Sequence, residues 1–220
     1  MKSNAKGFTL VEIAIVLVII GLLLGGILKG QEMITQAKIK NVMSDFSGIS
    51  AAYYGYQDRY RAIPGDDPGA ATRWTTAPAA LNGTGDGQVG GTYNNPCPTP
   101  LVAASPESCK FWDHLRRSGF VAGSGGQQPF NALTGMIGVQ TGNGAGGVAL
   151  GGFSGLIICS ANLPDKVAIA VDTQMDDGQI ATGGVRGDLQ AGPNPAIPDA
   201  APAANYAENG TNTYVLCRAL

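Results

Sequence analysis

Hydrophobic and polar positions divide the chain into stretches of different period. From Ile13 to Leu28 no charged or polar side chain occurs, and Glu12 is the only charge between Phe8 and Leu28. As a helix, such a run is long enough to cross a bilayer core of about 30 Å. Past Lys29 the apolar residues become periodic. Ile34, Ile39, Val42, Met43, Phe46, Ile49, Tyr53, Tyr56 and Tyr60 recur mostly at steps of three or four, while Glu32, Lys38, Lys40, Asp45 and Asp58 take the remaining surface. That spacing predicts an amphipathic helix continuing the first. Gly48 and Gly55 each weaken this half by about 1 kcal/mol against alanine. Ala62-Ile63-Pro64-Gly65 ends it, because proline disfavours helix at the residue before it. A single helix from Phe8 to Arg61 would be about 80 Å long. Half of it would be a stem, and half would pack its tyrosine-rich face on a body. The tyrosine stripe reads as ordinary amphipathic packing.

Beyond the helix the pattern breaks up. Pro64–Gly69 is a turn cluster, and Ala70–Trp74 has room for one helical turn. Residues 75–106 are mostly Pro, Gly, Thr, Asn and Ala, with a tight loop at 82–87. Glu107–Ser118 reads as a short helix with Phe111, Trp112 and Leu115 facing inward. On it His114 is expected as a surface or half-buried residue, since no nucleophile or carboxylate motif flanks it. Met136–Thr141, Gly147–Leu150, Leu156–Cys159, Val167–Val171 and Tyr214–Cys217 are short apolar runs bounded by turn residues, and read as antiparallel strands. Gly142–Gly155 is half glycine, a flexible hairpin or an exposed loop. Gln190–Ala204 is rich in Pro and Ala and reads as an extended surface loop.

Composition changes this picture in two ways. Gly accounts for 33 of the 220 residues, about twice the usual share, and nearly all the excess follows Gly65, so the body is rich in loops. Charge is modest: taking Lys2 and Lys6 from the 14 basic residues and setting the rest against 16 acidic ones leaves −4. Neither bulk charge nor a basic run points to nucleic acid. Length fits the stem plus one body of about 150 residues.

Three readings of the N-terminal run compete. A secretory signal has a shorter apolar region and a small-x-small cleavage site, and neither is present. A plain signal anchor would keep Lys2 and Lys6 in the cytoplasm and tolerate Glu12 at a helix N-terminus. The third reading gives Glu12 a function, the default for an acid within an apolar span. The residues favour it. Gly7-Phe8-Thr9-Leu10-Val11-Glu12, behind a short basic leader and ahead of an unbroken apolar run, resembles the N-terminal signal of type IV pilins and type II secretion pseudopilins. The resemblance covers roughly the first 30 residues.

The resemblance implies cleavage after Gly7 by a prepilin peptidase, N-methylation of Phe8, and a role for Glu12 in assembly, paired with the Phe8 amine of an adjacent subunit. It implies a leader at 1–7, a transmembrane and filament-core helix at 8–28, its amphipathic continuation at 29–63, and an extracytoplasmic body at 64–220. The implied fold class is α+β: a long N-terminal helix packed on a small antiparallel sheet with long Gly/Pro-rich loops, closed by a disulfide-tied C-terminal strand. Implied partners are the peptidase, other pilin or pseudopilin subunits, an inner-membrane assembly platform and lipid. The implied location is the inner membrane, single-pass with the body in the periplasm, and then a pseudopilus or pilus. The large, loop-rich body tilts the reading toward a minor, tip or adhesive subunit. Where these pilins often carry proline this chain has Lys29. Gly21, Gly25, Gly26 and Gly30 either soften the helix or allow close helix packing. Tyr60–Asp66 and Asp172–Gly178 also resemble parts of uncharacterised prepilin-type proteins.

The body offers few groups for chemistry. Cys97, Cys109, Cys159 and Cys217, placed outside the cytoplasm, read as two disulfides. Three pairings are open, with Cys97–Cys109 and Cys159–Cys217 favoured. Zinc is the alternative, but the spacings lack C-x-x-C. Asp172, Asp176 and Asp177, with Asp188 as a further donor, are the best candidate calcium ligands, a use some pseudopilins make of a C-terminal loop. EF-hand spacing is missing, and the competing reading is an Asp-Gly turn between strands. Asp66, Asp67 and Asp86 are weaker candidates. No phosphate-binding motif occurs. A structural, non-enzymatic subunit is therefore the leading expectation. A membrane-anchored periplasmic binding module or enzyme is the alternative, and it would need a convergent polar pocket.

Overall fold

The computed structural model describes residues 9–142, 149–202 and 204–220. Its first helix, α1, runs unbroken from Leu10 to Tyr60. The chain divides into two compact units, one up to Ala37 and one from Lys38 to Leu220.

In the first unit the large apolar side chains from Leu10 to Leu28 are all exposed. An apolar helix left bare in this way requires a solvent other than water, lipid or neighbouring helices. Just past it, Lys29 and Glu32 form an exposed ion pair of 2.9 Å.

In the second unit α1 changes character. Ile39, Val42, Phe46, Ile49, Tyr53 and Tyr56 are buried, at the helical steps the sequence shows. Two short helices follow, α2 (Ala70–Arg73) and α3 (Glu107–Arg117). Then come β1 (Ile137–Thr141), a 3₁₀ turn at Ala149–Gly151, β2 (Leu156–Pro164), α4 (Asp165–Met175), β3 (Val185–Leu189) and β4 (Thr213–Ala219). The strands form one antiparallel sheet in the order β1-β2-β4-β3. The architecture is α+β: a long N-terminal helix packed on a small antiparallel sheet.

Strand alternation sorts the core into two layers. Val139, Ile158, Tyr214 and Leu216 face the helices, meeting α1, Phe111, Trp112 and Leu115 of α3, and Val167 and Val171 of α4. Ile157, Cys159, Val215 and Cys217 face the other way, under Tyr93, Leu150 and Phe153. Both sheet faces are thus covered, one by helices and one by loops. A break in register between Ser160 and Leu163, with Asn162 at φ 56°, turns the end of β2 toward α4. Disulfides join Cys97 to Cys109 and Cys159 to Cys217, and the second links direct register partners on β2 and β4.

Three local expectations change. Val167–Val171 is helix, the middle of α4, not strand. Val167, Ala168 and Val171 share a buried face while Lys166, Thr173 and Gln174 stay out of the core. Ala149–Gly151 is a 3₁₀ turn where a strand was expected; residues 143–148 of the glycine-rich stretch lie outside the described residues. β3, Val-Arg-Gly-Asp-Leu, is a strand the apolar pattern does not show.

Candidate functional site

Cleavage and methylation are expected at Gly7 and Phe8, which lie outside the described residues. The description starts at Thr9, the residue before the helix. The Thr9 backbone N–H donates to Glu12 Oε2 at 2.8 Å, and the Glu12 N–H donates to Thr9 Oγ1 at 3.3 Å. The Thr9 hydroxyl donates to the same carboxylate at 2.8 Å. This is a reciprocal capping box, which satisfies two backbone donors that a helix start leaves unpaired. Thr-x-x-Glu ahead of an apolar run is a sequence signal for it. Glu12 thus has a partner within its own chain, and its carboxylate sits in the first turn of an otherwise exposed apolar helix.

The structure brings Asp172, Asp176 and Asp177 together, with a carboxylate oxygen from each lying within 4.8 Å of the others. They do not sit in a turn between strands. Asp172 is in the last turn of α4, Asp176 caps that helix, and Asp177 opens the loop to β3. Asp172 is fully buried and accepts from the Tyr206 hydroxyl at 2.6 Å and the Gly178 N–H at 3.2 Å. Asp176 accepts from the Val185 N–H, and Asp177 from the Gln179 N–H and the Thr182 hydroxyl. Burial pushes the Asp172 carboxyl up to about 6, and the charges of Asp177 and Asp176 add to the rise; the bonds from Tyr206 and Gly178 oppose it. Exposed Asp177 moves the other way, held down by Thr182 and the Gln179 N–H. Asp188 lies on β3 and is not part of this group; burial raises its carboxyl too.

A second group, Asp66, Asp86 and Glu107, also gathers carboxylate oxygens within 4.8 Å. Its two buried members hold a loop. Asp66 accepts from the backbone N–H groups of Gly85, Asp86 and Gly87, and Glu107 from those of Thr84 and Gly90. Gly83 lies flush against the Asp66 backbone, which occupies the space a Cβ on residue 83 would need. Asp67 turns away to pair with Arg73 and to accept from the Tyr56 hydroxyl at 2.5 Å.

His114 is fully buried, not at the surface or half-buried as expected. Its Nδ1 accepts from the Gly65 N–H at 2.9 Å, which leaves the proton on Nε2, 2.8 Å from the Leu81 carbonyl. Burial lowers it to about 4, so it is neutral at pH 7. It ties α3 to both ends of the 65–81 segment. That assignment was beyond sequence reasoning, because its partners lie 49 and 33 residues away. The tyrosine stripe packs as expected: Tyr53 and Tyr56 are buried in the main core, and the Tyr56 ring stacks on His114 at 6.2 Å.

Residues 2–28 match the prokaryotic N-terminal methylation motif. This is the prepilin-type motif, so over these residues the chain is similar to type IV pilins and pseudopilins. The motif implies processing by a prepilin peptidase and assembly with other pilin subunits, and together with one apolar helix it fits a single-pass inner-membrane anchor. No curated protein and no solved structure matches the chain.

Proposed function

We propose that this chain is a structural, non-enzymatic subunit of a type IV pilus or a type II secretion pseudopilus, cut after Gly7 and methylated on Phe8. One observation carries the reading: the methylation motif at 2–28 leads directly into a helix whose apolar side chains are bare from Leu10 to Leu28. Before assembly lipid covers that surface; in a filament the helices of neighbouring subunits do. Glu12 then moves from a membrane boundary into protein, where a buried charge needs a pair. The Phe8 amine of an adjacent subunit supplies it. Leader, span, amphipathic half and body fall at 1–7, 8–28, 29–63 and 64–220, with the body in the periplasm. Long irregular segments at 75–106 and 190–202 give the body a displayed surface, which suits a minor or tip subunit better than a plain repeating one.

The test is the mass of the N-terminal peptide of native protein extracted from membranes. The expected peptide begins at Phe8 and carries one added methyl group. An intact Met1 leader in a host with active prepilin peptidase would reduce the chain to an anchored domain.

The geometry favours a second reading for the aspartate loop, a calcium site. The donor chemistry fits, since three carboxylates converge within 4.8 Å and calcium takes six to eight oxygens, carboxylates and carbonyls among them. Asp172, Asp176 and Asp177 would hold the ion, which would fasten the end of α4 to the start of β3. Added calcium should then raise the melting temperature of the body by about 5 °C at saturation. Chelator should reverse the rise, and Asp177→Asn, an exposed change, should abolish it. An unchanged melting temperature with calcium and with chelator would remove the site.

A further inference from the structure

Away from both acidic clusters the body contains a cavity of about 440 Å³. One wall is α3, carrying Arg116 and Arg117. The others are the segments Thr76–Ala79, Thr99–Leu101 and Gly123–Gln127. Each wall is fixed from within. Arg117 Nη2 donates to the Pro78 carbonyl at 2.7 Å, and Arg116 Nη1 donates to the Gly125 carbonyl at 2.7 Å. Gln127 Nε2 donates to Thr99 Oγ1 at 2.7 Å and to the Cys97 carbonyl, inside the loop that the Cys97–Cys109 disulfide ties to α3. The cavity is therefore built before any ligand arrives, and its size is within the range of small-molecule sites.

The charges in it do not balance. Arg117 Nε donates to buried Asp113 at 2.6 Å, which neutralises that pair. Arg116 has no carboxylate within 4.0 Å among the described residues; its guanidinium lies 5.9 Å from the Trp112 ring centroid and spends one N–H on Gly125. Its other N–H groups have no acceptor among the described residues. Asp113 attracts Arg116 from farther off but is already paired with Arg117, so among the lining residues two guanidiniums share one carboxylate, which in a protein of negative overall charge marks a place for one anion. Guanidinium geometry matches a carboxylate through two parallel bonds. A phosphate dianion fits less well, because its second charge would call on Arg117, which is already paired with Asp113. Pro78, Pro100 and Leu101 present apolar surface to the rest of the ligand.

We propose that this cavity binds a carboxylate carried on a compact, largely apolar body, with Arg116 as the group that recognises it. Such a carboxylate can come from a free small acid or from an acidic side chain of a partner protein. Titration calorimetry on the detergent-solubilised full chain separates these sources, using cyclohexanecarboxylate for the first and the acetylated, amidated tripeptide Ala-Glu-Ala for the second. Trp112 fluorescence gives an independent readout. Saturable binding of the ring acid alone identifies a small-molecule site, and stronger binding of the peptide identifies a protein contact. In both cases Arg116→Gln should weaken binding about tenfold or more, and Arg116→Lys should restore part of it. On the unaltered protein, the neutral amide of the ring acid should bind at least about tenfold more weakly than the acid, a comparison that needs no variant to fold. Absence of saturable binding by either carboxylate, equal binding of acid and amide, or undiminished binding by Arg116→Gln would overturn the proposal.

Discussion

Replacing Glu12 with alanine is expected to leave the chain in the membrane and to remove it from filaments. Insertion should survive because the change deletes a charge from an apolar span; a central aspartate opposes insertion by about 2.5–3.5 kcal/mol, and an acid near the interface by less. The lost capping box weakens the first helical turn by only about 1 kcal/mol. Assembly meets a different cost. Once the helix is surrounded by other helices, the amine that would have paired with Glu12 is left buried and alone, and breaking a buried pair in this way costs about 3–5 kcal/mol. Filament incorporation should therefore drop at least about a hundredfold, taking about 1.4 kcal/mol per factor of ten. The measurement is the ratio of sheared-filament to membrane-bound protein. Glu12→Gln sharpens it. Glutamine also serves in a capping box, so it retains the Thr9 contact while losing the charge. Loss of assembly in both variants assigns the effect to charge, and loss in the alanine variant alone assigns it to the cap. Normal assembly of Glu12→Ala would refute the role given to Glu12, as expected if the span is merely an anchor for a binding module.

Glu12 was visible from sequence because its setting is local: the motif, the apolar run and the cap all lie within about thirty residues. The same holds for the second half of α1, whose buried positions repeat at helical steps; α3 was legible only as a short local run, and in the fold every residue from Glu107 to Leu115 is buried. α4 was not legible as helix. Val167-Ala168-Ile169-Ala170-Val171 is a five-residue apolar run, too short for period to separate helix from strand. β3 hid for a different reason: Arg186, Gly187 and Asp188 interrupt its apolar pattern, and only pairing with β4 makes it a strand. Candidate sites divide along the same line. Asp172, Asp176 and Asp177 lie within six residues at the end of α4, so the helix end and the first loop residue bring them together locally. Asp188 reaches the sheet through a separate strand and does not join them. The arginine cavity draws on α3 and three further segments between residues 76 and 127 that converge only through the fold. No sequence window contains it.

That dependence on long-range pairing also marks where the body should be most sensitive. Cys159 and Cys217 are fully buried register partners on β2 and β4, the two inner strands of the sheet, and their bond closes a separation of 58 residues. Cross-linking of this span removes unfolded-chain entropy worth about 4 kcal/mol, against about 3 for the separation of 12 between Cys97 and Cys109. Changing Cys159 and Cys217 together to alanine should therefore lower the stability of the body by about 4 kcal/mol and its melting temperature by about 10 °C. Trp74 and Trp112 both lie in the body, so urea unfolding followed by their fluorescence reports on it and not on the stem. The loss is a large part of the 5–15 kcal/mol that holds a typical domain together. The equivalent change at Cys97 and Cys109 should cost less globally, with its main effect on the Thr99–Leu101 wall of the cavity. A loss below about 1 kcal/mol for the Cys159–Cys217 variant would show that strand pairing and the packing of Ile157 and Val215 already fix the sheet, since an effect that small is within the worth of a single cross-strand side-chain pair. A loss near the larger figure would make disulfide formation in an oxidising compartment a condition for a stable body, and would place folding of the body after its passage across the membrane.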